Sequence, residues 1–223
     1  MISVIIPVYN EEHALPATLQ RLTGQGLKHE VIIVDGGSKD RTCEIASHTA
    51  RAQLLFVPKG RAAQMNAGAR IARGEWLLFL HADTLLPKNA LRKIADLESG
   101  VQAGGFKHRF SGQDWRLRLI SWMNNLRCKI TRVIYGDQAL FVRRSLFERL
   151  GGFSEQAIIE DVALCENLLR VTRPVILDEY AITDARKFIK HGVWRSFMRV
   201  AAILIRVQFR LPIRSKTFFE DVR

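Results

Sequence analysis

Polar side chains that could bind a nucleotide or a metal ion follow the apolar segments of this chain. His81 and Asp83 come directly after an apolar run at 76–80, which is typical of a strand buried on both faces. Asp35 ends a second such run, at 31–34. Mg²⁺ and Mn²⁺ bind carboxylate oxygens of the protein together with phosphate oxygens of the substrate. Asp83 is therefore a candidate metal ligand beside a diphosphate. The sequence therefore predicts a ligand site where these strands end.

The surroundings of Asp35 also indicate ligand binding. A carboxylate buried without a hydrogen-bond donor is costly, and a nucleobase imide or a ribose hydroxyl would supply a suitable donor. Gly36 and Gly37 let the backbone approach a ligand closely. Asp40, by contrast, is better explained as the N-cap of the following helix.

Arg61 lies in the first turn of a helix predicted at 60–72. A positive charge is unfavourable at that end of the helix dipole, so we expect an anionic or stacked partner for it. Asn66 and Gly68 lower the helix propensity of the same segment, which indicates tight packing against a sheet. A helix that serves only for packing is the alternative interpretation.

These side chains must be positioned by alternating strands and helices in the first hundred residues. The pattern predicts strands at 3–8, 30–34, 53–57 and 75–80, and helices at 12–22, 41–50, 60–72 and 87–97. This alternation is typical of an α/β fold with a Rossmann-like, mostly parallel sheet flanked by helices.

The second half of the sequence has a mixed pattern. It predicts strands at 104–110, 138–142 and 174–177, and helices at 114–127, 145–150 and 160–170. No linker or repeat separates the halves, so we expect a single domain over 1–223. We expect 1–100 to form a nucleotide-binding half, 101–190 a mixed half, and 191–223 a C-terminal basic helix and tail.

The positive charge of the chain is large and unevenly placed. The formal net charge is +12, and no acidic residue lies between Asp184 and Glu220. Such a surface attracts phosphorylated substrates, anionic lipid headgroups or nucleic acid. A helix predicted at 191–209 is basic and amphipathic, with arginines on one side at positions 195, 199, 206 and 210. It could bind a membrane surface, pack onto its own domain or form a dimer contact.

Composition and cysteine spacing favour a folded protein of the cytoplasm. The three cysteines show neither zinc-site nor Cys-x-x-Cys spacing, which fits a reducing compartment. The first residues are typical of a strand rather than a signal peptide, and arginines interrupt the apolar C-terminal stretch. We expect a cytoplasmic location, peripheral on the inner face of the membrane if the last helix binds lipid.

Several motifs, in this order and spacing, resemble those of family 2 glycosyltransferases with the GT-A fold. They are Ile-Pro-Val-Tyr-Asn-Glu-Glu, Val-Asp-Gly-Gly-Ser-Lys-Asp-Arg-Thr, Gly-Arg-Ala-Ala-Gln-Met-Asn-Ala-Gly-Ala and Leu-His-Ala-Asp-Thr. The segments at 136–138, 151–153 and 160–162 also fall where such enzymes continue. The resemblance implies a nucleotide-diphosphate sugar donor, a divalent cation (Mg²⁺ or Mn²⁺) and inversion at the anomeric carbon. It also implies that 1–100 bind the nucleotide sugar and 101–190 bind the acceptor.

The resemblance also implies roles for individual residues. Asp83 matches the last residue of the family's Asp-x-Asp motif, the metal ligand, whereas His81 replaces the first Asp and is assigned to the donor site. Asp161 matches the general base, which removes the proton of the acceptor hydroxyl. Glu160 is the second choice for the base. The remaining donor-site residues are Pro7, Tyr9 and Glu11 around the nucleoside, Asp35 at the base, and Arg61 near the base or ribose.

The absence of the Gln-x-x-Arg-Trp motif of processive synthases favours transfer of a single sugar. The acceptor is an unidentified hydroxyl compound, for which the basic C-terminal region suggests a lipid-linked or phosphorylated molecule. Arg186 and Lys187 are either diphosphate contacts or part of a plain basic loop, and His191 is a weaker candidate for a late metal or phosphate contact.

Two other functions compete with sugar transfer. A sugar-nucleotidyltransferase would carry a glycine-rich phosphate loop after the first strand, and residues 7–11 lack one. A non-catalytic basic protein that binds lipid or another polyanion would show strongly salt-dependent binding and ignore nucleotides. Nucleic acid is not favoured as a partner.

Overall fold

The protein is described by a computed structural model that covers residues 1–155 and 159–208. Its first half alternates strands and helices, as the sequence predicts. The elements are β1 (Ile2–Val8), α1 (Leu15–Thr23), β2 (His29–Asp35), α2 (Thr42–Ser47), β3 (Ala52–Phe56), α3 (Arg61–Ile71) and β4 (Trp76–Phe79).

The second half contains the longest strands and helices of the described residues together with several short ones. It contains β5 (Thr84–Leu85), α4 (Ala90–Ala95), β6 (Ala103–Phe110), α5 (Trp115–Thr131), a 3₁₀ helix (Gly136–Gln138), β7 (Phe141–Arg143), α6 (Arg144–Arg149), α7 (Glu160–Leu169), β8 (Val175–Thr183), α8 (Arg186–Lys190) and α9 (Val193–Gln208).

Strands from both halves form one eight-stranded sheet in the order β3-β2-β1-β4-β7-β6-β8-β5. The pairs among the first four strands are parallel. Beyond β4 the sheet is mixed, because β7 runs antiparallel to both β4 and β6, while β8 is parallel to β6 and antiparallel to β5. The α/β fold with a mixed second half is therefore confirmed.

The apolar runs of the central strands are buried because helices cover both faces of the sheet. On β1, Ile6 and Val8 pack into one apolar cluster with α1, whereas Ile5 packs into a second cluster with α3. Both clusters also include residues of β4. Burial on both faces explains the continuous apolar sequence of these strands.

Several boundaries differ from the sequence prediction for local reasons. Helix α1 begins at Leu15 rather than 12, because the Glu11 carbonyl accepts the amides of Ala14 and Leu15 in a turn. The strand predicted at 138–142 begins only at Phe141, since Gln138 belongs to the 3₁₀ helix and donates to the Phe106 carbonyl at 3.1 Å. The strand predicted at 174–177 extends to 183, because β8 continues to pair with β6 and β5.

The first turns of the C-terminal helix pack onto the domain. Helix α9 begins at Val193, whose side chain joins an apolar cluster with Phe110, Leu117 and Ile120. The predicted last turn at 209, Arg210 and the tail to 223 lie outside the described residues. None of the helices that the structure describes is long and apolar enough to cross a bilayer.

Candidate functional site

A pocket of about 140 Å³ opens beyond the carboxyl ends of β1 and β4. Its walls come from segments that are far apart in the sequence. Six of the predicted donor-site residues line it: Pro7, Tyr9, Glu11, Arg61, His81 and Asp83. The other lining residues are Val8, Lys59, Gly60, Gln64, Ala82 and Lys187.

Asp35 is the predicted donor-site residue that does not line this pocket. Its side chain is 1% exposed, and one carboxylate oxygen accepts the amides of Gly37 at 2.7 Å and Ser38 at 2.9 Å. The Ser38 hydroxyl donates to the other oxygen. The turn after β2 thus supplies the donors that burial requires, and contact between Asp35 and a nucleobase stays a prediction.

Asp40 stabilises the turn before α2 but is not its N-cap as predicted, because the helix begins at Thr42 and Arg41 holds the N-cap position. It accepts the amide and hydroxyl of Thr42, and the backbone amide of Glu12 at 3.1 Å. Burial alone would raise the pKa of Asp40, but these hydrogen bonds hold that pKa below its ordinary value. The residue therefore ties the β1 turn to α2.

Two basic residues of α8 reach across the site to Glu11. Arg186 Nη2 lies 2.8 Å from one Glu11 oxygen, and Lys187 Nζ lies 2.9 Å from the other. The Lys187 ammonium is also 3.5 Å from Asp83 Oδ2. Lys187 thus lies between two carboxylates inside the pocket, although 176 residues separate it from Glu11.

The environment of Asp83 fits a metal ion that shares its ligands with a substrate. Within residues 1–155 and 159–208, no group of three or more His, Cys, Asp and Glu side chains could hold a metal ion. Asp83 nevertheless presents a carboxylate to the pocket, and the Lys187 ammonium beside it shows that a cation is favoured at this place. One carboxylate with substrate phosphates and water satisfies Mg²⁺ or Mn²⁺ without a protein cage.

His81 is held in place by the 3₁₀ helix and by Arg61. A side-chain carbon at Gly136 would overlap the His81 ring, so only glycine allows this close approach. Arg61 Nη1 lies 3.4 Å from His81 Nε2. His81, the departure from the Asp-x-Asp motif, therefore occupies a fixed position on the pocket wall.

Arg61 also pairs with the acidic residues at the start of α7. Its Nε lies 3.2 Å from Glu160 Oε1, and the Glu160 side chain is 3% exposed. This carboxylate is the anionic partner that the position of Arg61 predicts. Arg61 therefore joins the pocket to the acidic pair Glu160 and Asp161.

Asp161 is buried beside the 3₁₀ helix and does not itself line the pocket. One carboxylate oxygen accepts the Gly136 amide at 2.6 Å, and the other accepts the Val162 amide at 2.9 Å. Burial raises the pKa of Asp161 to about 6; the Glu160 carboxylate adds to the rise, whereas Arg61 and the Gly136 amide oppose it. A carboxylate with a raised pKa beside a ligand pocket is a candidate acid or base.

Sequence reasoning did not single out Gln64 and Lys59 as functional residues. Gln64 is 4% exposed, and its amide donates to the carbonyls of Val8 at 2.9 Å and Val34 at 2.7 Å. It therefore fixes the ends of β1 and β2 relative to α3. Lys59 Nζ lies 4.0 Å from the centre of the Tyr9 ring, a cation–π contact on the pocket wall.

The packing predicted for α3 is present. A side-chain carbon at Gly68 would collide with Ile5 on β1. The Asn66 amide donates to the Phe153 carbonyl at 2.8 Å and accepts the Phe153 amide at 2.9 Å. Helix α3 thus connects the sheet to the Gly-Gly-Phe segment that precedes α7.

Comparison with solved structures identifies the fold. A fragment of S. aureus TarS in complex with UDP-GlcNAc matches with a TM-score of 0.66 at 20% identity, over 82% of this chain and 58% of that one. The mannosyltransferase PcManGT of Pyrobaculum calidifontis, in complex with GDP-Man and Mn²⁺, matches with a TM-score of 0.63 at 24% identity, over 81% of this chain and 56% of that one. These similarities confirm the predicted GT-A fold.

Sequence comparison identifies the family. The chain is 28% identical to the undecaprenyl-phosphate 4-deoxy-4-formamido-L-arabinose transferase of Pseudomonas fluorescens over 194 residues. This alignment covers 79% of this chain and 57% of that relative. The chain spans about half the length of the curated relatives it matches. A family model described as glycosyl transferase family 2 matches residues 3–151. The chain therefore belongs to glycosyl transferase family 2.

Proposed function

We propose that this protein transfers a single sugar from a nucleotide-diphosphate sugar to an acceptor oxygen, with inversion at the anomeric carbon. The observation that carries the proposal is the pocket itself. It brings Asp83, Arg61 and Lys187 together, and the acidic pair at the start of α7 adjoins it through Arg61. Family membership supports the same chemistry, because the motifs around Tyr9, Arg61 and Asp83 lie within the matched residues 3–151.

The nucleoside of the donor would bind between the β1 turn and the start of α3. Pro7 and Tyr9 offer an apolar and an aromatic surface there, and Glu11 and Arg61 add polar groups at the pocket wall. The solved neighbours carry UDP-GlcNAc and GDP-Man, which supports a nucleotide-sugar donor for this chain without selecting its base.

The diphosphate would bind where positive charge gathers in the pocket. Lys187 already lies beside Asp83, and Arg186 lies on the same helix. Asp83 would hold Mg²⁺ or Mn²⁺, which when bound stabilises the negative charge that develops on the departing diphosphate. Lys187 would then turn from Asp83 to a phosphate oxygen and add a second positive charge.

Asp161 would act as the general base of a single displacement. Its carboxylate removes the proton of the acceptor hydroxyl while that oxygen forms a bond to the anomeric carbon. The bond from this carbon to the diphosphate oxygen breaks, and its electron pair leaves with the diphosphate. Attack opposite to the leaving group inverts the configuration. A pKa of about 6 leaves most Asp161 side chains ionised at neutral pH.

A phosphate acceptor is the second candidate, because a relative of this chain is named an undecaprenyl-phosphate transferase. A phosphate monoester has lost most of its protons near neutral pH, so it needs no general base. Asp161→Asn distinguishes the two: transfer to a hydroxyl acceptor would be lost, whereas transfer to a phosphate acceptor would be largely retained.

A screen of nucleotide sugars with Mn²⁺ tests the proposal, with release of the nucleoside diphosphate as the readout. We expect one donor to be hydrolysed faster than the others, and Asp83→Ala to lose this turnover. Release of pyrophosphate from a nucleoside triphosphate and a sugar phosphate would instead support a sugar-nucleotidyltransferase. Salt-sensitive binding of anions without turnover of any donor would support a non-catalytic basic protein.

A further inference from the structure

Helix α5 is apolar on two opposite faces. One face packs into the domain through Leu117, Ile120 and Cys128, which are buried. The other face is exposed and is apolar along its whole length. Its residues fall within an arc of about 100° on the helix: Trp115, Leu119, Trp122, Met123, Leu126 and Ile130.

This exposed face continues onto α9. Trp194 and Met198 are also exposed, and the rings of Trp115 and Trp194 meet edge to face with centroids 6.4 Å apart. We call these eight residues of the two helices the α5–α9 surface. It holds three of the four tryptophans of the chain, whereas Trp76 is 3% exposed. Isolated exposed apolar residues are ordinary, but a contiguous apolar stripe marks an interaction site.

Basic side chains border this surface. Arg118 and Lys129 of α5 and Arg195 of α9 are exposed beside it. Helix α5 contains no acidic residue, and neither does any position from 185 to 219. Apolar and tryptophan side chains flanked by Lys and Arg are typical of helices that lie in the plane of a membrane interface.

We infer that the α5–α9 surface binds an anionic phospholipid bilayer, with its apolar side chains among the acyl chains and its basic border at the headgroups. The charge argues against a second copy of this chain, because a symmetric contact would bring the two basic borders together. It also disfavours coverage by residues 209–223, which carry four basic and two acidic side chains.

The position of this surface relates the bilayer to the pocket. Helices α5 and α9 pack with α8 around Leu117, Val193 and Phe188. Helix α8 carries Arg186 and Lys187, which contact Glu11 and Asp83 in the pocket. A bilayer bound here would therefore contact α5 and α9, whose other faces pack with the helix that supplies basic groups of the donor site. This inference goes beyond the proposed sugar transfer.

Vesicle binding of the full chain tests the inference. Vesicles of phosphatidylcholine mixed with phosphatidylglycerol should sediment the protein and shift its tryptophan emission to shorter wavelength. Vesicles of phosphatidylcholine alone should bind it more weakly. Because each basic residue near the surface contributes to the electrostatic attraction, Arg118→Gln with Lys129→Gln should weaken binding to the anionic vesicles by roughly tenfold or more.

Trp122→Gln with Ile130→Gln tests the apolar part of the surface. Both side chains are exposed, so the fold should be retained, and binding to the anionic vesicles should fall about tenfold or more. Phe56→Gln is the matched control, because Phe56 is 69% exposed on β3, at the opposite edge of the sheet. This control should bind as tightly as the unsubstituted chain.

Three results would overturn the inference: no binding of the folded protein to anionic vesicles, equal binding by the Trp122 and Ile130 variant, or a dimer in sedimentation that this variant dissociates while vesicles are ignored. The last result would assign the surface to a second copy. These assays contain no sugar donor, and donor turnover needs no vesicles, so failure of one proposal is distinguishable from failure of the other.

Discussion

Asp35 and Asp161 are both buried carboxylates near the pocket, but their surroundings differ. Asp35 accepts three hydrogen bonds from Gly37 and Ser38, in the turn that follows β2. Asp161 accepts hydrogen bonds from two backbone amides, and its pKa is raised by burial and, to a lesser extent, by the Glu160 carboxylate beside it. The first environment surrounds the carboxylate with local hydrogen-bond donors, whereas the second favours uptake of a proton. The local hydrogen bonds to Asp35 thus indicate a structural role, whereas the raised pKa of Asp161 indicates a chemical role.

The two halves of the sheet also differ in how they bring residues to the pocket. In the parallel half, the residues that matter follow the ends of neighbouring strands, so they meet at one edge. In the mixed half, the 3₁₀ helix, α7 and α8 bring groups to the pocket from far along the sequence. Most of the charged residues that line the pocket come from the parallel half, and the mixed half adds Lys187 and the Glu160 carboxylate that pairs with Arg61.

Asp161→Asn should have the largest effect. Transfer to a hydroxyl acceptor should fall by about 10² to 10⁴, because the amide cannot accept the proton. Nucleotide binding should remain, since Asp161 does not line the pocket. Initial rates and nucleotide titrations check this. Asp178→Asn is the control, because that carboxylate is exposed, and full activity of the Asp161 variant with a hydroxyl acceptor would remove Asp161 as the base.

Asp83→Ala should lose the metal-dependent part of nucleotide binding. We expect the nucleoside diphosphate to bind about tenfold or more weakly in the presence of Mn²⁺, and to bind equally with and without Mn²⁺. Calorimetric titration with and without the metal measures both quantities. If Mn²⁺ still strengthens nucleotide binding in this variant, the cation site lies elsewhere.

The raised pKa of Asp161 predicts the pH dependence of both activity and stability. Below about pH 6 the base is protonated, so the rate should fall about tenfold per pH unit. The folded pKa exceeds the ordinary value of 3.8, so the native state binds this proton more tightly than the unfolded chain does. The contribution of Asp161 to the free energy of unfolding should therefore decrease as pH rises from 3.8 to about 6.

Comparison with Asp161→Asn isolates this contribution. Denaturant unfolding at several pH values should show a smaller decrease in stability between these limits for the variant. The rate of the unsubstituted enzyme should level off above about pH 6. Identical pH profiles for the two proteins would show that another group titrates.

Asp35→Asn should change stability rather than chemistry. The amide can still accept one set of donors from the turn, but its NH₂ group would face the Ser38 hydroxyl or the backbone amides. We expect a loss of about 1–3 kcal/mol in the free energy of unfolding, measured by denaturant titration. A rate constant at saturating donor close to that of the unsubstituted enzyme would support the structural role. A loss of rate equal to that of Asp161→Asn would end the distinction between the two carboxylates.

Lys187→Met should have the smallest effect. It should change the affinities for Mn²⁺ and for the nucleoside diphosphate in opposite directions. Removing the ammonium beside Asp83 should let Mn²⁺ alone bind several-fold more tightly. The nucleoside diphosphate should bind several-fold more weakly, because a phosphate contact is lost. Lys190→Met, on the same helix, is the control. Unchanged affinities for both ligands would show that Lys187 belongs to a plain basic loop.

The parallel half was predictable because its signals are local. Apolar runs and their ends predicted that His81 and Asp83 lie at the carboxyl ends of strands, and both line the pocket together with Tyr9. The pairing of Lys187 with Glu11 was not predictable, because the two residues lie 176 positions apart in the sequence. Helix α8 spans five residues, too few for a periodic signal. The stripe on α5 was also missed, since apolar residues on opposite faces weaken the amphipathic pattern.

The most direct test of the donor site is the melting temperature of the folded protein with Mn²⁺ and a panel of nucleoside diphosphates. Binding to the native state stabilises it, so one nucleoside diphosphate should raise the melting temperature more than the others. Asp83→Ala should lose the Mn²⁺-dependent part of this rise. A folded protein whose melting temperature does not change with any of them would contradict a nucleotide-sugar site in this pocket.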